Sequence, residues 1–149
     1  MSSCLVNPAS NPVQTQNVGG GAATQVGQPV SKVVNLVCFM NNGANVCALN
    51  GFAPQYVVPA GEALVITDAQ WFSFSPLPQG SYDGVIIQQT GSDYALSLSS
   101  LVDSNETVAG QARLATGVVV PPGNAPVALQ RSGFLRGNVW LQGYLVPNR

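Results

Sequence analysis

Histidine is absent from this chain of 149 residues. Without it the chain cannot build a Ser-His-Asp or Cys-His catalytic group, a histidine-ligated zinc site, or the usual general base near neutral pH. Its three cysteines are too few for a zinc site of four thiolates within one chain. The phosphate-binding and dinucleotide-binding glycine motifs are also missing. We therefore expect no enzyme activity, no metal and no cofactor.

Charge is scarce as well. Lys, Arg, Asp and Glu make up 7% of the residues, whereas about 25% is typical of a soluble domain. The net charge of -1 gives little self-repulsion, which favours association. The basic residues are too scattered to form a patch for nucleic acid, so we expect none to bind. They are Lys32, Arg113, Arg131, Arg136 and Arg149.

No run of about 18 apolar residues occurs, so we expect no membrane-spanning helix. The segment MSSCLVNPASNPVQTQ has neither a basic start nor an apolar run, so we expect no secretory signal. We therefore expect a protein that is made without export, or an extracellular surface protein if the chain is exported and trimmed.

The few carboxylates form no cluster that indicates a glycosidase pair. They are Glu62, Asp68, Asp83, Asp93, Asp103 and Glu106. In VDSNETV, Asp103 and Glu106 could offer oxygen ligands to Ca²⁺, although a polar hairpin turn is the simpler interpretation.

Two regions differ in composition. Residues 1–30 are rich in Asn, Gln, Gly and Pro and have no apolar period, which predicts an extended N-terminal arm, either disordered or docked on a neighbouring subunit. Residues 31–149 read as successive strands with short turns and without a helical stripe. They predict an all-β domain, an antiparallel β-sandwich with jelly-roll topology. We expect a bend near Asp68 and bulges at Gly110 and Gly117.

A short internal repeat in the sequence suggests a fold built from two related halves. The segments VPAGEALV (58–65) and VPPGNAPV (120–127) share the pattern V-P-x-G-x-A-x-V. Each can form a type II turn whose second central residue, Gly61 or Gly123, needs a positive φ. Each turn would lead into a strand. Because Pro-x-Gly turns are common in β proteins, the repeat could equally be incidental.

The stretch VCFMNNGANVCAL holds Cys38 and Cys47 on either side of Asn42-Gly43. If that pair forms a two-residue turn, opposed residues have numbers that sum to 85, and the cysteines face each other in a non-hydrogen-bonded pair. The expected Cα separation of about 4.5 Å admits a disulfide. Alternatively, the cysteines pack as small apolar side chains. Cys4 could be free or bridge to another subunit.

The aromatic residues suggest a contact surface. Trp71 lies on the opposite strand face from Phe72 and Phe74, while Trp140 and Tyr144 share a face if no bulge intervenes. Either face could be core. Exposed aromatic rings could serve a partner or a sugar. The candidate contact residues are Trp71, Tyr82, Tyr94, Trp140 and Tyr144.

Three segments carry a family resemblance: YVVPAGEALVITDAQW, GVVVPPGNAPVAL and WLQGYLVP. They resemble small bacterial and phage jelly-roll proteins, over residues 56–147. The resemblance implies a virion accessory, fibre or surface protein and supplies no active-site residues.

We therefore expect a non-enzymatic structural protein of a bacteriophage virion, of decoration or fibre type. It would form homo-oligomers or dock on a capsid through its arm. The alternatives are a carbohydrate-binding module and a subunit of an extracellular bacterial filament that adds a strand to its neighbour.

Overall fold

The computed structural model describes residues 14–15, 24–25, 32–41, 44–51, 54–90, 95–132 and 136–148. The chain divides into two units, Met1–Ser31 and Lys32–Arg149. In the first unit, strand β1 (Gln14–Thr15) pairs antiparallel with strand β2 (Thr24–Gln25). The rest of the arm expected over residues 1–30, including Cys4, lies outside the described residues.

The second unit is built from strands in the described part of the chain, with no α-helix among those residues. The strands are β3 (Val33–Asn41), β4 (Ala44–Leu49), β5 (Glu62–Phe74), β6 (Tyr82–Gln89), β7 (Ala95–Leu101), β8 (Thr107–Val120), β9 (Pro126–Gln130) and β10 (Arg136–Pro147). One antiparallel sheet has the order β4-β3-β10-β5-β8, and the other has the order β7-β6-β9. The all-β, two-sheet prediction is confirmed.

Alternating side chains explain why the larger sheet has one buried face. Along β3, Val34, Leu36, Cys38 and Met40 are buried, because every second residue of a strand points to the same side. They join one apolar cluster with residues of the smaller sheet such as Ile87. Burial of this shared apolar surface holds the two sheets together.

The pairing of the long strand β5 is irregular at the place where the sequence predicts a bend. Its pairing with β8 shifts between Ile66 and Asp68, and its pairing with β10 shifts at the same place. On β8 the shift falls between Arg113 and Val118, and Gly117 has a φ of 72° there. The predicted irregularity at Gly117 is therefore confirmed.

The predicted bulge at Gly110 is wrong. The β5–β8 register runs without a break from Asp68 and Arg113 to Phe74 and Thr107, and Gly110 faces Trp71 within it. A Cβ atom at Gly110 would overlap the indole of Trp71. Glycine is required here for side-chain packing rather than for backbone shape.

The two Pro-x-Gly corners adopt the predicted turns. Gly61 has a φ of 77° and Gly123 a φ of 76°. The Glu62 N–H donates to the Pro59 carbonyl over 3.3 Å, and the Asn124 N–H donates to the Pro121 carbonyl over 3.2 Å, closing each turn. Strand β5 begins directly after the first turn and β9 shortly after the second.

The two corners also contact each other. The Val58 N–H donates to the Asn124 carbonyl over 2.9 Å, and the Gly123 N–H donates to the Val58 carbonyl over 2.9 Å. Strand β4 of the larger sheet also lies against β9 of the smaller sheet. These hydrogen bonds therefore join the connection after β4 to the corner before β9.

Candidate functional site

The outer face of the five-stranded sheet carries side chains in transverse rows. One row runs across Phe39, Asn138 and Phe72, and the next runs across Val37, Trp140 and Gln70. A row forms because paired residues of neighbouring strands point to the same side of a sheet. This face, unlike the buried one, is open to a ligand or partner.

Three phenylalanines at one end of this face form what we call the phenylalanine patch: Phe39, Phe72 and Phe74. Their exposed fractions are 44%, 42% and 53%. The rings of Phe72 and Phe74 meet edge to face, with centroids 5.7 Å apart. Asn138 lies between Phe39 and Phe72 in the row, so that row carries no charged side chain between its two phenylalanines.

Beside the patch lies a cleft of about 310 Å³, which we call the amide cleft. Its exposed aromatic residue is Trp140, with an exposed fraction of 39%. Five exposed amide side chains line the cleft around it: Asn35, Asn50, Gln70, Gln111 and Gln142.

One ion pair borders the amide cleft. Arg113 Nε lies 3.3 Å from Asp68 Oδ1, and Thr67 Oγ1 donates to Asp68 Oδ2 over 2.8 Å. The guanidinium side chain is largely exposed, so the pair contributes little to stability. The opposite charges of Asp68 and Arg113 cancel, so the cleft is close to neutral.

The structure places the first expected contact residue, Trp71, in the core. Its exposed fraction is 4%, and its indole N–H points at Ser100 Oγ, 3.3 Å away in the other sheet. The contact role expected for Trp71 is therefore wrong. The strand alternation was read correctly, but its outer face presents Phe72 and Phe74 instead.

The other expected contact residues are dispersed. Trp140 and Tyr144 share the outer face of β10, whose pairing with β3 is unbroken between them. Tyr82 is 65% exposed but begins a strand of the smaller sheet. Tyr94 lies outside the described residues. Of the expected contact residues that the structure describes, only Trp140 and Tyr144 are therefore brought to one surface.

The sequence reasoning missed the phenylalanine patch. A signal was present, because Cys38 faces inward and neighbouring residues alternate, so Phe39 must face outward. The cross-strand alignment of Phe39 with Phe72 depends on the register of β10 between them, which the sequence does not reveal.

The two cysteines face each other across the β3–β4 hairpin, as the count of paired residues predicts. Cys38 pairs with Cys47, Phe39 with Val46 and Asn41 with Ala44, which confirms the predicted register. The two sulfurs form a disulfide, and the Cα atoms are 3.8 Å apart. The Asn42-Gly43 turn itself lies outside the described residues. Oxidation in the protein's own environment stays a prediction.

A buried carboxylate links the two sheets. Asp83, on β6, is almost fully buried, and its Oδ2 accepts hydrogen bonds from Ser75 Oγ at 2.6 Å and Gln130 Nε2 at 3.0 Å. Its Oδ1 accepts from the N–H groups of Gly84 and Ser132 at 2.8 and 3.2 Å. Burial by itself raises the pKa of Asp83, but the four hydrogen bonds outweigh it and hold the pKa below the ordinary value.

Asp103 belongs to a turn, as the simpler interpretation predicted. Its carboxylate accepts from the Asn105 and Thr107 N–H groups at 2.8 and 2.9 Å and from Thr107 Oγ1 at 2.6 Å. These hydrogen bonds, first of all that of the Thr107 hydroxyl, lower the pKa of Asp103. Among the residues the structure describes, no three His, Cys, Asp or Glu side chains gather as a metal site would require.

Comparison of the sequence with models of known protein families finds no match, and comparison with curated proteins finds none either. Within the described ranges, no helix has the length and apolar character needed to cross a membrane.

Proposed function

We propose that this chain is a non-enzymatic structural protein of jelly-roll topology, a virion accessory protein of decoration or fibre type. It acts by self-association or by docking on a capsid. The observation that carries the proposal is the phenylalanine patch, an exposed aromatic surface on a domain with few charges. The chain's resemblance to small bacterial and phage jelly-roll proteins points the same way.

The strand pairing supports the jelly-roll topology. A jelly roll is one long antiparallel hairpin of eight strands, rolled so that the first strand lies beside the last, the second beside the seventh, and so on inward. Among β3 to β10, the first pairs with the eighth, the third with the sixth and the fourth with the fifth. The second, β4, lies against the seventh, β9. Viral capsid domains are among the proteins that use this topology.

The phenylalanine patch supports association. Aromatic side chains are enriched in the buried centres of protein interfaces, and burying their exposed area is favourable by about 25 cal/mol per Å². The low net charge leaves little repulsion between two copies. Arg136 and Asn138 border Phe39 in a shallow depression, and polar groups of this kind are typical of an interface rim.

The oligomeric state tests the proposal. Light scattering coupled to size-exclusion chromatography should find the full chain as an oligomer and the Phe72→Ser/Phe74→Ser variant as a smaller species. The matched control is Tyr82→Ser/Leu101→Ser, which removes two exposed apolar residues of the smaller sheet and should leave the oligomer intact.

Deletion of residues 1–30 tests the arm separately. If the arm docks on a neighbour, the deleted protein dissociates even though its phenylalanine patch is complete. A full chain that is monomeric, and unchanged by the deletion, would overturn self-association, both through the arm and through the phenylalanine patch.

A further inference from the structure

We propose that the amide cleft binds a neutral carbohydrate, with Trp140 as the stacking residue and the surrounding amides as hydrogen-bonding groups. The inference does not depend on the assembly proposal, because the phenylalanine patch and the amide cleft share no residue.

The composition of the cleft fits a sugar. The C–H face of a pyranose ring is apolar and can lie against an exposed indole, while its hydroxyls each donate and accept hydrogen bonds. Side-chain amides also do both, through an NH₂ group and a carbonyl oxygen. Trp140 and the amides of Gln70, Gln111 and Gln142 therefore supply both kinds of contact within one cleft.

The charge of the cleft favours a neutral ligand. Its two charged residues, Asp68 and Arg113, form an ion pair with each other. An anionic or cationic ligand would meet a countercharge that is already engaged. A hydroxyl pair can instead bind at the edge of the carboxylate or of the guanidinium without breaking the pair.

The backbone around Trp140 argues against a peptide that adds a strand. Strand β10 is hydrogen-bonded to β3 on one side and to β5 on the other, so its main-chain groups around Trp140 are already paired. Strand addition needs a free sheet edge. At the centre of the cleft a ligand can therefore contact only side chains. The volume of the cleft lies at the small end of the range for small-molecule pockets.

Saturation-transfer NMR on the full chain tests the inference. The probes are cellobiose, maltose, lactose, mannobiose and N,N′-diacetylchitobiose, with 3′-sialyllactose as the anionic comparator. At least one neutral disaccharide should bind. Trp140→Ala should weaken that binding tenfold or more, a loss of about 1.4 kcal/mol.

Two further variants make the result decisive. Phe74→Ala removes another exposed aromatic ring from the same sheet face and should leave sugar binding unchanged. Gln111→Ala, an exposed position on the edge strand β8, should weaken binding if the amides take part, and it remains informative if Trp140→Ala fails to fold.

Several outcomes would overturn the inference. These are no binding of any neutral probe, binding that survives both Trp140→Ala and Gln111→Ala, and stronger binding of the sialylated probe. Conversion of the oligomer to monomer by Trp140→Ala, with no sugar bound, would show instead that the cleft is an interface between copies.

Discussion

At the scale of single residues, Asp83 is a buried polar group whose hydrogen bonds join the two sheets. Its carboxylate receives four hydrogen bonds, and one donor, Gln130, also bonds the carbonyl of Phe74 in the other sheet. A buried carboxylate is tolerated only when it is satisfied in this way. The network therefore fixes how the ends of β5, β6 and β9 meet.

Replacing Asp83 with Asn should lower the free energy of unfolding by about 2–3 kcal/mol at neutral pH. The amide NH₂ would face groups that themselves donate, and the charge that strengthens these bonds would be lost. Urea unfolding followed by circular dichroism measures the change. Glu106→Gln, at an exposed carboxylate, is the control and should leave stability close to that of the unaltered protein.

The same carboxylate should make stability depend on pH. Because its folded pKa is lowered, its contribution is present above the unfolded value of about 3.9 and is lost as the pH falls below that value through the folded pKa. Stability should thus fall less between pH 5 and about pH 3 in Asp83→Asn than in the unaltered protein. An equal fall in both proteins would contradict this role. Asp103, whose pKa is also lowered, contributes in both.

Gly110 and Trp71 form a second coupled pair. Gly110→Ala should destabilise the domain by about 1–3 kcal/mol, because the added methyl overlaps the indole. In a Trp71→Phe background the smaller ring leaves room, so the same substitution should cost less. A double-mutant cycle from urea unfolding measures this coupling, and equal costs in the two backgrounds would disprove it.

These residues show where sequence reasoning stops. Alternation correctly separates Trp71 from Phe72 and Phe74, but it does not say which face is buried. The indole of Trp71 packs where Gly110, its partner on the neighbouring strand, has no side chain. Trp71 and Gly110 are 39 positions apart in sequence, so no local pattern reveals their pairing. The network around Asp83 is equally non-local, since it joins residues as distant as Ser75 and Ser132.

At the scale of elements, local features were the most predictable. The two Pro-x-Gly corners and the β3–β4 register follow from rules that involve only a few neighbouring residues. The strand order of the sheets depends on pairings between distant segments, such as β3 with β10, for which one sequence offers no local signal.

The β3–β4 hairpin provides the test at this scale. Closing the loop between Cys38 and Cys47, which are nine positions apart in sequence, should stabilise the domain by about 2.5 kcal/mol. Urea unfolding with and without reductant measures this difference. Alkylation of the unfolded, unreduced protein should add one label, at Cys4, by mass spectrometry. Three labels would mean that the disulfide does not form.

At the scale of the whole molecule, the larger sheet offers two neighbouring surfaces of different chemistry. The phenylalanine patch is apolar and suits a protein partner, whereas the amide cleft is polar around one indole and suits a small neutral ligand. Because both lie on the outer face of one sheet, a partner on the patch would stand beside whatever the cleft holds.

The nested strand pairing also has a consequence for biosynthesis. Strand β10 lies between β3 and β5, so the larger sheet cannot close until the ribosome has released β10, the last described strand to be made. Until then β3 and β5 expose apolar side chains and unpaired strand edges, the features that invite aggregation and chaperone binding.

Refolding from urea should accordingly be slow. Contacts between distant segments place such folds in the range of milliseconds to seconds. Stopped-flow tryptophan fluorescence should report this on Trp71 as it becomes buried, and completion within microseconds would contradict it. During synthesis, strand β3 therefore remains without its partner β10 while more than ninety further residues are translated, from Asn41 to Arg136.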